Sequence, residues 1–99
     1  MSNPIENLNK TFDSRVRLGI MSTLMVNDHI NFNDLKQLIG VTDGNLASHI
    51  KALEDLGYIK VNKGFVGKKT NTTYTITKPG EKTFQQHLAA LEKMINGMK

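Results

Sequence analysis

The chain has 99 residues, 38% of them hydrophobic, a formal net charge of +4 and no cysteine. This length supports one small hydrophobic core, so residues 1–99 are expected to form a single domain without a separate ligand-binding or catalytic unit. The lack of cysteine excludes disulfides, thiol chemistry and zinc-finger sites. No apolar run reaches transmembrane length, and residues 1–10, MSNPIENLNK, lack the basic-then-apolar order of a signal peptide. A soluble, cytoplasmic protein that does not contact membranes is therefore expected.

Two helices are predicted before residue 41. Residues 14–27 are expected to form the first, with Ser14 or Asp13 as N-cap and apolar residues at every third or fourth position. Arg17 is expected on the solvent side of this helix or in a local salt bridge. A polar break follows, and a short second helix then runs to Gly40. The first twelve residues could form a short helix after a proline, and no role is assigned to them.

A third helix is predicted at residues 42–56. Apolar residues recur at helical intervals from Leu46 to Leu53, while the opposite side carries small and polar residues. Thr42 can be its N-cap, because a threonine hydroxyl can accept a hydrogen bond from a free backbone N–H. Gly57 is expected to end the helix, since glycine adopts the left-handed C′ conformation without strain.

A hairpin is predicted after this helix, because the spacing of apolar residues changes to strict alternation. The alternation runs around Ile59 and Val61 and returns around Tyr74 and Ile76. Between the two strands lies NKGFVGKKTN, which is too long for a two-residue turn and is expected to be a mobile, cationic loop. We call residues 60–72 the wing.

Positive charge is concentrated around the wing. Residues 1–59 carry a net charge of −2, whereas residues 60–82 carry six lysines and one glutamate, a net charge of +5. A local basic stripe is typical of phosphate binding, because each neutralised phosphate releases condensed counterions. The alternative is that these lysines discourage edge-to-edge aggregation of an exposed hairpin. Because the lysines follow directly after the predicted third helix, the phosphate-binding interpretation is favoured.

The last predicted helix occupies residues 77–99. Thr77 can be its N-cap, and Pro79 is tolerated in a first turn whose N–H groups have no acceptor within the helix. Its apolar residues are spaced like a coiled-coil seam, which predicts a homodimer; the alternative is a helix that folds back on its own domain. The predicted dimer residues are Phe84, Leu88, Leu91, Ile95 and Met98.

Three stretches of the sequence carry a family resemblance. In chain order they are SRVRLGIMSTL, FNDLKQLIGVTDGNLASHIKALEDLGYIKV and TTYTITKPGEK. With them the chain resembles the small winged-helix transcriptional regulators grouped with the MarR and ArsR families, from about residue 12 to residue 95. The resemblance implies a mainly α fold with a small β-hairpin (α+β), a winged helix-turn-helix at 12–76 and a dimerisation helix at 77–99. It implies a homodimeric, sequence-specific repressor or activator that binds double-stranded DNA.

The resemblance implies that residues 42–56 enter the major groove of DNA and that the wing contacts the DNA backbone or the minor groove. Asn45 can pair with adenine, Ser48 can contact several bases, and Lys51 can reach guanine or phosphate. Gly44 lets the helix backbone approach the DNA closely. Thr42 is either the N-cap of the helix or a base contact. The predicted DNA-binding residues are Thr42, Gly44, Asn45, Ser48, His49, Lys51, Lys63, Lys68, Lys69, Thr70 and Asn71.

His49 flanks the apolar stripe of the third helix and is interpreted as a packed, hydrogen-bonded histidine beside the DNA face. His29 and His87 are distant in sequence, so no metal site is expected. Glu54 and Asp55 are adjacent in a helix and point in different directions, which does not suit shared acid–base catalysis. Neither an enzyme nor a cofactor is therefore predicted, and no inducer is assigned. The alternative function is a winged-helix protein interaction module without sequence-specific DNA binding.

Overall fold

The computed structural model describes residues 4–97. It has the winged helix-turn-helix architecture predicted from the sequence, an α+β fold with a C-terminal helix. No helix within residues 4–97 is long and apolar enough to cross a membrane. The elements in chain order are two 3-10 turns, Pro4–Asn7 and Lys10–Phe12, then α1 (Arg15–Val26), β1 (Ile30–Asn31), α2 (Phe32–Ile39), α3 (Asp43–Asp55), β2 (Ile59–Val66), β3 (Lys69–Ile76) and α4 (Lys78–Gly97).

Side-chain caps explain where the helices begin. The side-chain oxygens of Ser14, Asn31 and Thr42 each accept a backbone N–H in the first turn of α1, α2 and α3. Each such bond satisfies a donor that has no partner within the helix and contributes about 1 kcal/mol. After α3 the chain reverses at Gly57, whose φ of +79° is the left-handed conformation expected from the sequence.

The sheet has three antiparallel strands in the order β1-β3-β2. Strand β1 was not predicted: Ile30 pairs with Tyr74, and Asn31 pairs with Thr73. A two-residue strand is too short to show alternation of apolar and polar residues. It pairs with the edge of β3 that β2 does not occupy.

The hairpin differs from its prediction. The pairing of β2 with β3 runs without a break from Ile59 and Ile76 to Val66 and Lys69, so only two residues form the turn. The predicted long loop is therefore wrong. Gly67 has a φ of +64° at the first turn position, as a type II′ hairpin turn requires. Residues 63–70 are exposed, so no buried face imposes the alternation that would have identified them as strand.

One hydrophobic core joins the helices to the base of the sheet. Three residues of the predicted α1 stripe, Ile20, Met21 and Leu24, are fully buried in it. Phe12 from the N-terminal turns also enters this core and meets Phe84 of α4 edge-on, with ring centroids 5.1 Å apart. The core consists of Phe12, Ile20, Met21, Leu24, Leu35, Leu46, Ile50, Leu53, Ile59, Tyr74 and Phe84.

Helix α4 does not present the predicted apolar seam as one exposed face. Phe84 is only 1% exposed and belongs to the core of its own chain, so its assignment to the dimer interface is wrong. Leu88 and Ile95 are exposed by 41% and 66%, and Leu91 is half-buried. Met98 lies outside the described residues.

The reason is that the inner face of α4 is completed by residues that an apolar pattern does not select. Gly80, His87 and Ala90 are buried together with Phe84. The apolar arc of the helix is therefore broader than a coiled-coil seam, and Leu88 and Ile95 lie at its uncovered edge.

Candidate nucleic-acid interface

The predicted base-reading residues share the solvent-facing side of α3. Gly44, Ser48 and Lys51 follow one another at intervals of four and three residues, and all three are exposed together with Asn45. Leu46, Ile50 and Leu53 on the opposite side are buried and hold the helix against the core. The polar side of α3 is thus fixed in position and open to a partner.

The start of α3 is capped, and its acidic charge is balanced. The Thr42 hydroxyl oxygen accepts the Asn45 N–H at 3.2 Å, so Thr42 does act as the N-cap. The Asp43 carboxylate lies 2.7 Å from the Lys36 ammonium of α2. Both groups are well exposed, so the pair contributes little stability. It does offset the negative charge that would otherwise repel a phosphate backbone here.

Gly44 has no packing role within residues 4–97. A Cβ atom built on Gly44 would meet no atom within 4 Å. Glycine inside a helix costs about 1 kcal/mol relative to alanine, and no contact in this region offsets that cost. The open space beside Gly44 is the surface that faces solvent with Asn45 and Ser48.

His49 is half-buried and is held by Arg17 of α1. The Arg17 Nε–H donates to Nδ1 of His49 at 3.0 Å, and the Arg17 Nη1–H donates to the Thr11 carbonyl at 3.4 Å. Arg17 therefore joins α1 to α3, and its predicted solvent or salt-bridge position is wrong. Burial and the Arg17 charge lower the pKa of His49. Because Nδ1 accepts a bond, the neutral ring carries its proton on Nε2.

The wing residues divide into two groups. Lys63 borders a groove between α3 and the hairpin together with Lys51, Glu54 and Tyr74. Burial, and then the negative charge of Glu54, raise the pKa of Tyr74. The structure thus brings the α3 lysine and one wing lysine to the same groove. Lys68, Lys69 and Thr70 are exposed farther out, near the turn, and Asn71 is half-buried.

Two exposed apolar residues at the end of the hairpin are absent from the interface residues predicted from the sequence. Phe65 and Val66 are exposed by 75% and 67%. An aromatic residue within a run of lysines and glycines, outside any alternating pattern, was the signal available in the sequence.

Comparison with known proteins identifies the family. Residues 16–95 match a family described as winged helix DNA-binding domain. The chain belongs to this family. It is 34% identical over 79 residues to an uncharacterised protein of Methanocaldococcus jannaschii, covering 80% of this chain and 86% of the relative.

Solved structures of other proteins share this fold. The structure of a transcriptional regulator homologue from Pyrococcus horikoshii OT3 superposes with a TM-score of 0.79 at 30% identity, covering 95% of this chain and 98% of that chain. A Porphyromonas gingivalis W83 protein assigned to the MarR family shares the fold, with a TM-score of 0.70 at 22% identity over 87% of this chain and 83% of that chain. The chain is therefore a winged-helix, DNA-binding transcriptional regulator, and its family and fold are not those of enzymes.

Proposed function

We propose that this regulator acts as a homodimer that recognises a specific sequence in double-stranded DNA. Helix α3 would lie in the major groove, and the wing would contact the backbone or the minor groove. The observation that carries the proposal is the exposed polar side of α3 beside a hairpin that has four lysines and no acid between residues 60 and 69. A protein interaction module has no need for this concentration of positive charge.

The residue roles follow from chemistry and exposure. Asn45 and Ser48 are assigned to base edges, because asparagine can bond adenine at two positions and serine can donate or accept. Gly44 gives the DNA close access to the start of α3. Thr42 caps α3, and His49 would contact DNA through its Nε2–H. Phosphate contacts are assigned to Lys51, Lys63, Lys68, Lys69, Thr70 and Asn71.

The uncovered edge of α4 supports the homodimer. Leu88 and Ile95 are separated by seven residues, so both lie on the same side of the helix and are exposed there. Leu91 lies half-buried between them, and residues 77–99 would form the dimer helix. Two copies would present two α3 helices to half-sites about one DNA turn apart, roughly 34–36 Å.

Selection of bound duplexes from a random DNA library with purified protein tests sequence recognition. Repeated enrichment of one motif is expected. Asn45→Ala and Ser48→Ala should each weaken binding to the enriched duplex by about 1–3 kcal/mol for a lost base contact, and change binding to random DNA little. Gln86→Ala, which removes an exposed amide from a side of α4 away from Leu88, is the control and should leave both affinities unchanged.

Two results would contradict the proposal. If no motif is enriched, sequence recognition is wrong. If the α3 variants lose equal affinity for enriched and random DNA, this face of α3 does not read bases. Absence of DNA binding at moderate salt would instead favour the protein interaction module.

A further inference from the structure

The end of the wing is apolar as well as basic. Phe65 and Val66 are largely exposed, whereas the neighbouring lysines carry the charge. Single exposed apolar residues are common on protein surfaces, so exposure alone decides nothing. Their placement on the hairpin is more informative.

The two side chains project from opposite faces of the hairpin. Phe65 pairs with Thr70, and Val66 pairs with Lys69 next to the two-residue turn. Successive residues of a strand point to opposite faces, so the end of the hairpin is apolar on both sides. Gly64 and Gly67 flank the pair without side chains, which keeps this part of the hairpin narrow.

The hairpin carries this apolar pair well away from the core. Val61 is the last half-buried apolar residue of β2, and Val66 lies five residues farther along the strand. At about 3.3 Å per residue, the tip extends roughly 16 Å beyond Val61. The continuous pairing up to the turn makes it an ordered extension instead of a loose loop.

The surroundings of the pair match a DNA groove. Phe65 lies on the same face of the hairpin as Lys63, which borders the groove toward α3 and Lys51. The polar side of α3 and the apolar end of the wing can therefore meet one DNA molecule. A groove of DNA offers apolar sugar surfaces and base edges between two rows of phosphates, which complements an apolar tip between Lys63 and Lys68.

We propose that Phe65, supported by Val66, is a wedge that enters the DNA minor groove beside the site of α3, widens it and bends the duplex toward the major groove. Lys63, Lys68 and Lys69 hold the bordering phosphates. The minor groove is only about 6 Å wide, so the narrow end of the hairpin can enter it and the rest of the wing cannot. This inference deepens the proposed function and rests on DNA binding by α3 and the wing.

The test compares Phe65→Ser, Phe65→Leu and Lys68→Ala with the wild-type protein. Affinity is measured at several salt concentrations on the enriched duplex and on a random A·T-rich duplex. Bending is measured by energy transfer between dyes at the two DNA ends. Val26→Ser, which removes an 82% exposed apolar side chain from the end of α1, is the matched control.

We expect Phe65→Ser to bind about tenfold more weakly, to bend DNA less and to keep the wild-type salt slope, because it removes an apolar contact and no charge. Phe65→Leu should recover part of both effects. Lys68→Ala should lower the salt slope by about one and preserve the bend. Netropsin, which occupies the minor groove, should reduce wild-type affinity to the level of Phe65→Ser.

Wild-type affinity and bending in Phe65→Ser would overturn the wedge while leaving DNA recognition by α3 intact. Lack of any enriched motif would overturn sequence recognition, but the random duplex would still test the wedge. A change in the sedimentation of DNA-free protein on Phe65→Ser would identify the tip as a surface for a second copy and overturn the inference. Wild-type protein that binds neither duplex would overturn both proposals.

Discussion

Gly44 and Gly80 are both glycines in the first turn of a helix, but their surroundings give them opposite roles. A Cβ atom at Gly44 would enter open space. A Cβ atom at Gly80 would collide with the backbone carbonyl of Tyr58, which also accepts the Thr77 N–H at 3.0 Å. Gly80 is thus needed for the fold, and Gly44 is available for contact with a partner.

Replacing Gly44 should separate stability from DNA binding. Gly44→Ala is expected to raise the free energy of unfolding by up to about 1 kcal/mol, because alanine is the better helix former. The same variant should bind the enriched duplex more weakly, since the added methyl group occupies the approach to the backbone. Urea denaturation and DNA titration measure the two quantities. Unchanged affinity would mean that DNA does not approach Gly44 closely.

Replacing Gly80 should destabilise the fold. The collision of the new methyl group with the Tyr58 carbonyl forces α4 away from the core, and a loss of about 2 kcal/mol or more is expected. Gly97→Ala at the end of α4 is the matched control, because its Cβ atom would meet nothing within 4 Å. Equal unfolding midpoints for the two variants would contradict the close approach of α4 to Tyr58.

Stability should also depend on pH through two histidines. His87 is 6% exposed, and its Nδ1 accepts the Asn9 N–H at 3.0 Å, which requires a neutral ring. Burial lowers the pKa of His87, although the charge of Asp13 opposes this shift, and burial with Arg17 lowers the pKa of His49. The unfolded chain therefore binds more protons than the folded chain as pH falls below the ordinary histidine value of 6.5.

The free energy of unfolding is expected to be constant above about pH 7.5 and to fall as pH drops below the ordinary histidine pKa. Denaturant titrations between about pH 5 and 8 measure this dependence. His87→Gln and His49→Gln should each make it less steep. If the double variant keeps the wild-type dependence of the free energy of unfolding on pH, neither histidine causes that dependence.

At the scale of elements, the wing should act through charge. Each lysine that contacts a phosphate contributes about one unit to the dependence of log affinity on log salt. Replacing Lys63, Lys68 and Lys69 together by alanine is therefore expected to lower the slope by about three. The control replaces Lys78, Lys82 and Lys93 of α4, which changes the net charge equally. Equal slopes for both triple variants would favour the role of the wing lysines in preventing aggregation.

At the scale of the whole molecule, the exposed edge of α4 should control assembly. Leu88→Glu with Ile95→Glu is expected to give a folded monomer that loses affinity for the enriched duplex, because two charges cannot be buried unpaired in a dimer interface. Gln86→Glu with Asn96→Glu adds the same charge at exposed positions of α4 that do not neighbour Leu88 or Ile95 on the helix surface, and should remain dimeric. Sedimentation measures the oligomeric state of both double variants. A wild-type monomer at micromolar concentration would show that the homodimer proposal is wrong.

The sequence by itself determined the features that depend on neighbours along the chain. The Thr42 cap, the left-handed Gly57 and the buried stripe of α3 are local consequences of hydroxyl chemistry, glycine freedom and helical spacing, and all were predicted. The winged-helix fold followed from their order. The charge of the wing is also a property of the sequence alone.

Only the tertiary structure decided features that join distant residues. Arg17 and His49 are 32 residues apart, and Asn9 and His87 are 78 apart, so no local pattern identifies either pair. The register of the exposed hairpin depends on cross-strand hydrogen bonds, which leave no periodic pattern in sequence when neither face is buried. Strand β1 is too short to show such a pattern. Phe84 was misplaced for a related reason: the same apolar spacing suits a partner helix or the chain's own core, and the position of Phe12 decides between them.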